Sequence, residues 1–329
     1  MLKKVAAFGL GLGVPLTLAA ITAQAAEPVR WEMPTANPDG NYHTQNARQF
    51  AECVQASSGG ALQIAVRGSG SLLPGAEIKG AVGAGRAMIG ERLLSAHEGE
   101  NAVFGYDAVP FLAVGFEASD RLWRAARPTL SEVLDRENLT LLYAVPWPPQ
   151  GLYAKRTIEA AADLGGVSLA TNDAVTARLA GLTGAVPVPV EPAQLGKALA
   201  ERAAESLVAS SAVGHELEVW RHLDRFYDLQ ASLPRSYVFA NKQAAAALPE
   251  PVRAALADCA QKAELHGTAE ARRLAGWHLD QFRERGMAVL PPGDRLRADL
   301  ARIGEAATSE WLARAGEDGR AIVEAYRKM

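Results

Sequence analysis

Behind an initial apolar run, the chain alternates short apolar stretches with segments of helical period. Residues 29–33 read as a strand, ended by a turn-rich loop from Pro34 to Gly40. Over 42–57 the positions Ala47, Phe50, Ala51 and Val54 share one helical face, and Ser58-Gly59-Gly60 stops the segment. Residues 61–66 alternate as a strand. Gly68-Ser69-Gly70-Ser71 forms a loop, 75–83 a short helix and 87–90 a further strand. This β-α-β-α-β order predicts a parallel, doubly wound sheet.

The rhythm restarts in the second half. Strands are expected at 139–145 and 151–155. A strand at 166–170 leads into a helix at 174–182, 186–188 leads into 192–202, and 206–210 leads into 214–223. The two halves share this rhythm without a repeated sequence. A long helix follows. Leu248-Pro249-Glu250-Pro251 opens it, with Pro251 suited to a first turn where its missing N–H has no intrahelical partner. Nothing breaks it before Gly286. About 35 residues at 1.5 Å each span roughly 52 Å, more than one small domain is wide. The helix is therefore expected to brace both α/β units. A strand at 287–290 and terminal helices carrying Leu300, Ile303, Trp311 and Ile322 complete the pattern.

The apolar run at the start has the form of a secretory leader. Lys3 and Lys4 precede an uncharged stretch from Val5 to Ile21, and Ala23-Gln24-Ala25 is a small-x-small cleavage site. Residues 1–25 are expected to be a Sec signal peptide and the product periplasmic. The other reading of the same run is an uncleaved anchor, against which Pro15 and the small residues argue. An oxidising compartment permits a disulfide. Cys53 and Cys259 are the only cysteines, each inside a helical pattern; they either pair or remain as two buried thiols.

Composition sets limits. The 329 residues are 49% apolar and 22% charged, which fits a globular protein with a full core. The net charge of −3, with no basic block, makes nucleic acid a poor partner. The motifs for a serine hydrolase elbow, a P-loop, a zinc HExxH site and a CxxC pair are missing. Gly9, Gly11 and Gly13 belong to the leader. His215 and His222 lie seven apart on one expected helix, and a solvated face explains them better than a metal pair. Ser210-Ser211 has no evident His-Asp partner. The sequence thus points to an exported, two-lobed α/β protein without a catalytic constellation or a cofactor. Such folds bind small ligands in the crevice at the carboxyl ends of their strands.

Several stretches resemble the solute-binding proteins of TRAP transporters, of the DctP type. They are Asp107-Ala108-Val109-Pro110-Phe111-Leu112, the stretch Trp147-Pro148-Pro149-Gln150-Gly151-Leu152-Tyr153-Ala154-Lys155-Arg156, and Gly184-Ala185-Val186-Pro187-Val188. Trp220-Arg221-His222-Leu223 with Phe226-Tyr227-Asp228, and the crossover segment from Leu233 to Lys242, complete the resemblance. It implies a two-lobed fold like the type II periplasmic binding proteins, with a long helix spanning both lobes. Lobe I would hold residues 26–150 plus about 238–270, and lobe II 151–237 plus about 271–329. It also implies a small, carboxylate-bearing solute clamped between the lobes and handed to membrane permease subunits, with no enzyme activity.

By the same resemblance the ligand contacts would be Asn37, Trp147, Gln150, Ala170, Asn172, Ser210, Ser211 and Tyr227. The sequence departs from the family's pattern at one of them. The arginine that holds a carboxylate in the family falls here on Ala170, within Asp163-Leu164-Gly165-Gly166-Val167-Ser168-Leu169-Ala170, and an acid often found further on falls on Gln194. Asp173 adds a carboxylate just past Ala170. Simple carboxylates are then expected to bind weakly unless another cation, Arg156 or Arg178, takes over. A sensory or scaffold protein that kept the fold and lost its ligand is the alternative from another class; a periplasmic hydrolase is disfavoured by the missing motifs.

Overall fold

The computed structural model describes residues 1–2, 27–171, 174–190 and 194–329. Most of the expected leader, together with Asn172 and Asp173, lies outside the described residues.

Lobe I opens with β1 (Val29–Pro34), α1 (Tyr42–Ser57), β2 (Leu62–Arg67), α2 (Gly75–Gly83) and β3 (Ile89–Leu93). These elements follow the expected order and nearly the expected bounds. Asn41 caps α1 by accepting from the His43 N–H. After α3 (Gly115–Arg136) and β4 (Leu139–Pro146) the chain crosses to lobe II. There it forms β5 (Gln150–Ala154), β6 (Ser168–Thr171), α4 (Ala174–Thr183), β7 (Val186–Pro189), α5 (Leu195–Ala200), β8 (Ser206–Ser210), α6 (Ser211–Glu216) and β9 (Arg225–Tyr227). It returns through β10 (Arg235–Asn241) and α7 (Lys242–Ala247). Helix α8 (Glu250–Glu284), β11 (Ala288–Leu290) and α9 (Asp294–Arg327) end the chain.

The sheets are mixed, which corrects the expectation of a purely parallel, doubly wound arrangement. In lobe I, β1 and β2 pair in parallel, and β10 runs antiparallel between β3 and β4. A parallel bridge from Thr35 to Glu91 joins the two groups. In lobe II the order is β11-β9-β5-β8-β6-β7, and β5 runs antiparallel to β8 and β9. The cause is topological. Strands β5 and β10 enter each lobe from the other one, so they cross the sheet against the local βαβ direction.

Helix α8 begins and ends within two residues of where Pro251 and Gly286 placed it. Its first half packs Val252, Leu256, Ala260 and Ala263 into lobe I, and Phe282 joins the lobe II core. Helix α9, interrupted at Gly316 (φ 61°) as the expected terminal helices imply, also spans both lobes. Leu296, Leu300 and Ile303 pack in lobe II, whereas Ala307, Trp311 and Ile322 pack in lobe I. The expected helix over 214–223 is shorter. It ends at Glu216, Glu218 takes a left-handed conformation (φ 48°), and a 3-10 turn covers Val219–Arg221. His215 and His222 therefore do not share a helix face.

Candidate functional site

The carboxyl ends of the lobe I strands form one wall of the interlobe crevice. In the middle of β3, Glu91 is almost fully buried. Its carboxylate accepts from the Thr35 hydroxyl and from the Asn37 side-chain amide, at 3.1 Å and 3.3 Å for the latter. Burial holds the Glu91 carboxyl above its ordinary pKa, and the hydrogen bonds from Ser236 and Thr35, the charge of Arg92 and the hydrogen bond from Asn37 offset only part of that rise. Asn37 is locked in turn, because its carbonyl accepts from the Ser69 N–H and the Thr44 hydroxyl. The next residue, Arg92, is half-buried, and burial lowers its pKa.

The two crossing segments make the floor. They run side by side, with Trp147 N–H donating to Pro234 O at 2.8 Å and Gln150 N–H to Ser232 O at 2.9 Å. Trp147 Nε1 donates to Ser236 Oγ at 3.2 Å, and its ring packs against His43 at 4.3 Å and Tyr42 at 5.9 Å. Burial drives the His43 imidazole down to a pKa of about 3, so it is neutral at physiological pH. Gly151 lets β5 pass under Phe226, since a Cβ there would fall 2.3 Å from that ring.

Lobe II supplies the opposite wall. Gln150 and Ser210 face each other across β5 and β8. Ser210 caps α6 through its Oγ, which accepts from the Val213 N–H at 3.3 Å. Ser211 Oγ lies 3.3 Å from His278 Nδ1. Ala170 is wholly buried in an apolar cluster with Leu195, Leu199 and Leu207. Tyr227, expected among the ligand contacts, is placed differently. It is buried among Leu152, Leu169 and Val208, and its hydroxyl accepts from the Ile158 N–H at 2.7 Å. At one edge of the crevice Asn41 of lobe I donates to Glu216 of lobe II at 3.4 Å.

Of the expected contacts, Asn37 lies in the loop after β1, Trp147 and Gln150 on the first crossing segment and Ser210 opposite Gln150, whereas Ala170 and Tyr227 face apolar cores. Neither expected replacement cation reaches the crevice. Arg156 is exposed in a loop, and Arg178 pairs with Glu310 on α9. Sequence reasoning missed Thr35, His43, Glu91 and Arg92. The signal was present in Glu91-Arg92, a charged pair inside the apolar stretch around Ile89 and Leu93, but the expected strand stops at Gly90, three residues short of the end of β3. Among the described residues no cluster of His, Cys, Asp or Glu could hold a metal ion, and no helix is long and apolar enough to cross a membrane.

The model of the bacterial extracellular solute-binding proteins, family 7 (DctP), matches residues 33–313. The chain belongs to this family. It is the solute-binding protein of a TRAP-type transporter and takes a small organic solute in its interdomain cleft. The solved structure of DctP7, an extracytoplasmic solute receptor of Bordetella pertussis binding pyroglutamic acid, is 40% identical. The match covers 91% of this chain and 99% of that one, with a TM-score of 0.85. A marine metagenome TRAP protein holding co-purified pyroglutamate is also 40% identical, over 92% of this chain and 100% of its own, with a TM-score of 0.85. A receptor from Desulfovibrio salexigens with bound orotic acid shares the fold (TM-score 0.80) at 16% identity, over 91% of this chain and 97% of its own. No curated protein matches the chain.

Proposed function

We propose that this receptor binds pyroglutamate, or a cyclic acid of the same size, between its lobes. The observation that carries the reading is the near-full-length similarity, at about 40% identity, to receptors crystallised with that ligand. The chemistry of the crevice agrees. Pyroglutamate has one ring N–H, one ring carbonyl and one carboxylate. The Glu91 carboxylate, held by Thr35 and Asn37, accepts an N–H; the Asn37 and Gln150 amides and Ser210 offer further polar contacts; and the Trp147 face covers the ring. By the resemblance, Asn172 and Ser211 join this set. The chain makes no catalytic use of the site. It is exported by its leader, cleaved after about Ala25, and delivers solute to TRAP membrane permease subunits.

The moving bodies in this reading are unequal in sequence. Lobe I comprises β1–β4, β10, α1–α3, α7, the first half of α8 and the second half of α9. Lobe II takes the remainder. Calorimetry of the purified mature protein with pyroglutamate tests the ligand; binding at micromolar affinity or better is expected, and no heat at millimolar concentration overturns it. Mass spectrometry of a periplasmic extract tests export, with a species starting near Ala26 expected and a membrane-bound form retaining Met1 excluding cleavage.

A further inference from the structure

A carboxylate brought into a closed cleft loses its water and needs a cation or several donors in return. Lobe II provides no cation at position 170, where Ala170 is packed among leucines. Arg178 is committed to Glu310 and Arg156 stays in solvent.

Lobe I does provide one. Arg92 sits at the carboxyl end of β3, directly after Glu91. Glu91 holds Thr35 and Asn37, while the Arg92 guanidinium lies beside Ala36, over Gly75. The fit over Gly75 is close: a Cβ there would stand 2.8 Å from Nη1. The Nε of Arg92 is buried and has no hydrogen-bond partner. Among the described residues Arg92 has no ion pair, although most arginines of the chain are paired with an acid, as Arg67 is with Glu32 and Arg127 with Glu264. The half-buried guanidinium feels the charge of the neighbouring Glu91, but no carboxylate lies within ion-pair distance among the described residues and its Nε is free, so it can take a further acceptor.

We infer that Arg92 supplies the cation for the solute's carboxylate, so that this receptor anchors an organic anion from lobe I instead of lobe II. The inference rests on the reading of the cleft as a site for a small carboxylate. It makes Arg92 a specificity-determining residue. The charged end of the solute lies against the rim loop at Ala36, and the arginine missing at 170 has no replacement in lobe II because none is needed there.

The test is calorimetry with pyroglutamate and with its uncharged carboxamide, on the wild type, on Arg92→Lys and on two neutral variants, Arg92→Gln and Arg92→Met. Either neutral variant suffices if the other fails to fold. The wild type is expected to prefer the acid. A neutral variant should lose roughly 10- to 150-fold in affinity for the acid, the equivalent of one charge-assisted hydrogen bond, while the amide changes little. Arg92→Lys should fall between, since an ammonium keeps the charge and loses the fork. A neutral variant that binds the acid as tightly as the wild type overturns the assignment of Arg92 and leaves the pyroglutamate reading intact. A wild type that binds neither the acid nor the amide overturns that reading, and the role of Arg92 with it.

Discussion

Cys53 on α1 is bonded to Cys259 on α8, with their Cα atoms 5.8 Å apart although 206 residues separate them in sequence. The bond ties α1 to the helix that braces both lobes. Both cysteines pack in or against the lobe I core, beside Val54 and Leu256. Closing so long a loop restricts the unfolded chain by about 5 kcal/mol in the entropic picture, and removing native bridges costs about 2–5 kcal/mol in practice. Cys53→Ser with Cys259→Ser should therefore lower the unfolding free energy by about that amount while leaving solute affinity near the wild-type value. Denaturant titration of the oxidised protein and of the double variant measures it. Equal midpoints would show that the bridge adds no stability.

Asp107 gives the fold a pH dependence of definite sign. It is buried at the start of the lobe crossing, where Oδ2 accepts from Tyr237 Oη at 2.5 Å and from the Arg235 N–H at 3.0 Å. Its Oδ1 has no partner, and burial raises its pKa to about 7. An acid whose pKa is raised on folding stabilises the folded state fully below its unfolded pKa, near 4. That contribution is lost as pH rises to the folded value. The loss approaches about 1.4 kcal/mol per pH unit between about pH 4 and 7. Asp107→Asn removes it. The stability of the variant relative to the wild type should rise across that window and level off above it. His43, buried and neutral, acts in the opposite direction below its ordinary pKa, but it does so in both proteins and cancels from the difference. A variant-minus-wild-type stability that stays constant with pH, or falls as pH rises, would refute the buried-acid account.

Closure should be visible in solution. The lobes are joined by two crossing segments and by α8 and α9, and Asn41 meets Glu216 across the crevice. Hinge motion about such connections shrinks the molecule when a ligand fills the gap. Small-angle scattering should show a smaller radius of gyration at saturating pyroglutamate than without it. An unchanged curve under conditions where calorimetry shows full occupancy would exclude the clamp.

The elements that the sequence made legible are those governed by local rules. Turn residues and helical periods fixed α1, α2 and α8 almost to the residue, because Gly60, Pro251 and Gly286 act within one turn of themselves. What escaped was set by contacts distant in sequence. The antiparallel course of β5 and β10 follows from crossing between lobes, and the bipartite packing of α9 from cores assembled by segments 200 residues earlier. The same holds at the site. Trp147, Gln150 and Asn37 carry recognisable patterns, but Tyr227 looks like a binding residue until its hydroxyl is seen against Ile158. Glu91 and Arg92 look like the charged end of a surface strand until Thr35, Asn37 and Ala36 close over them.

Ala170 is sealed into the lobe II core. Its methyl group has no solvent exposure and packs with Leu195, Leu199 and Leu207. Restoring an arginine there does not simply restore a carboxylate site. The longer side chain must displace these leucines, at about 1–3 kcal/mol for overpacking, and a guanidinium buried without a partner costs more. Ala170→Arg should therefore melt several degrees below the wild type and bind pyroglutamate no more tightly. Differential scanning fluorimetry and calorimetry on the same preparation read both effects. An unchanged melting temperature together with tighter binding of the acid would mean that the guanidinium reaches the cleft after all, so that lobe II can still anchor an anion and Arg92 is not the sole determinant of charge selection.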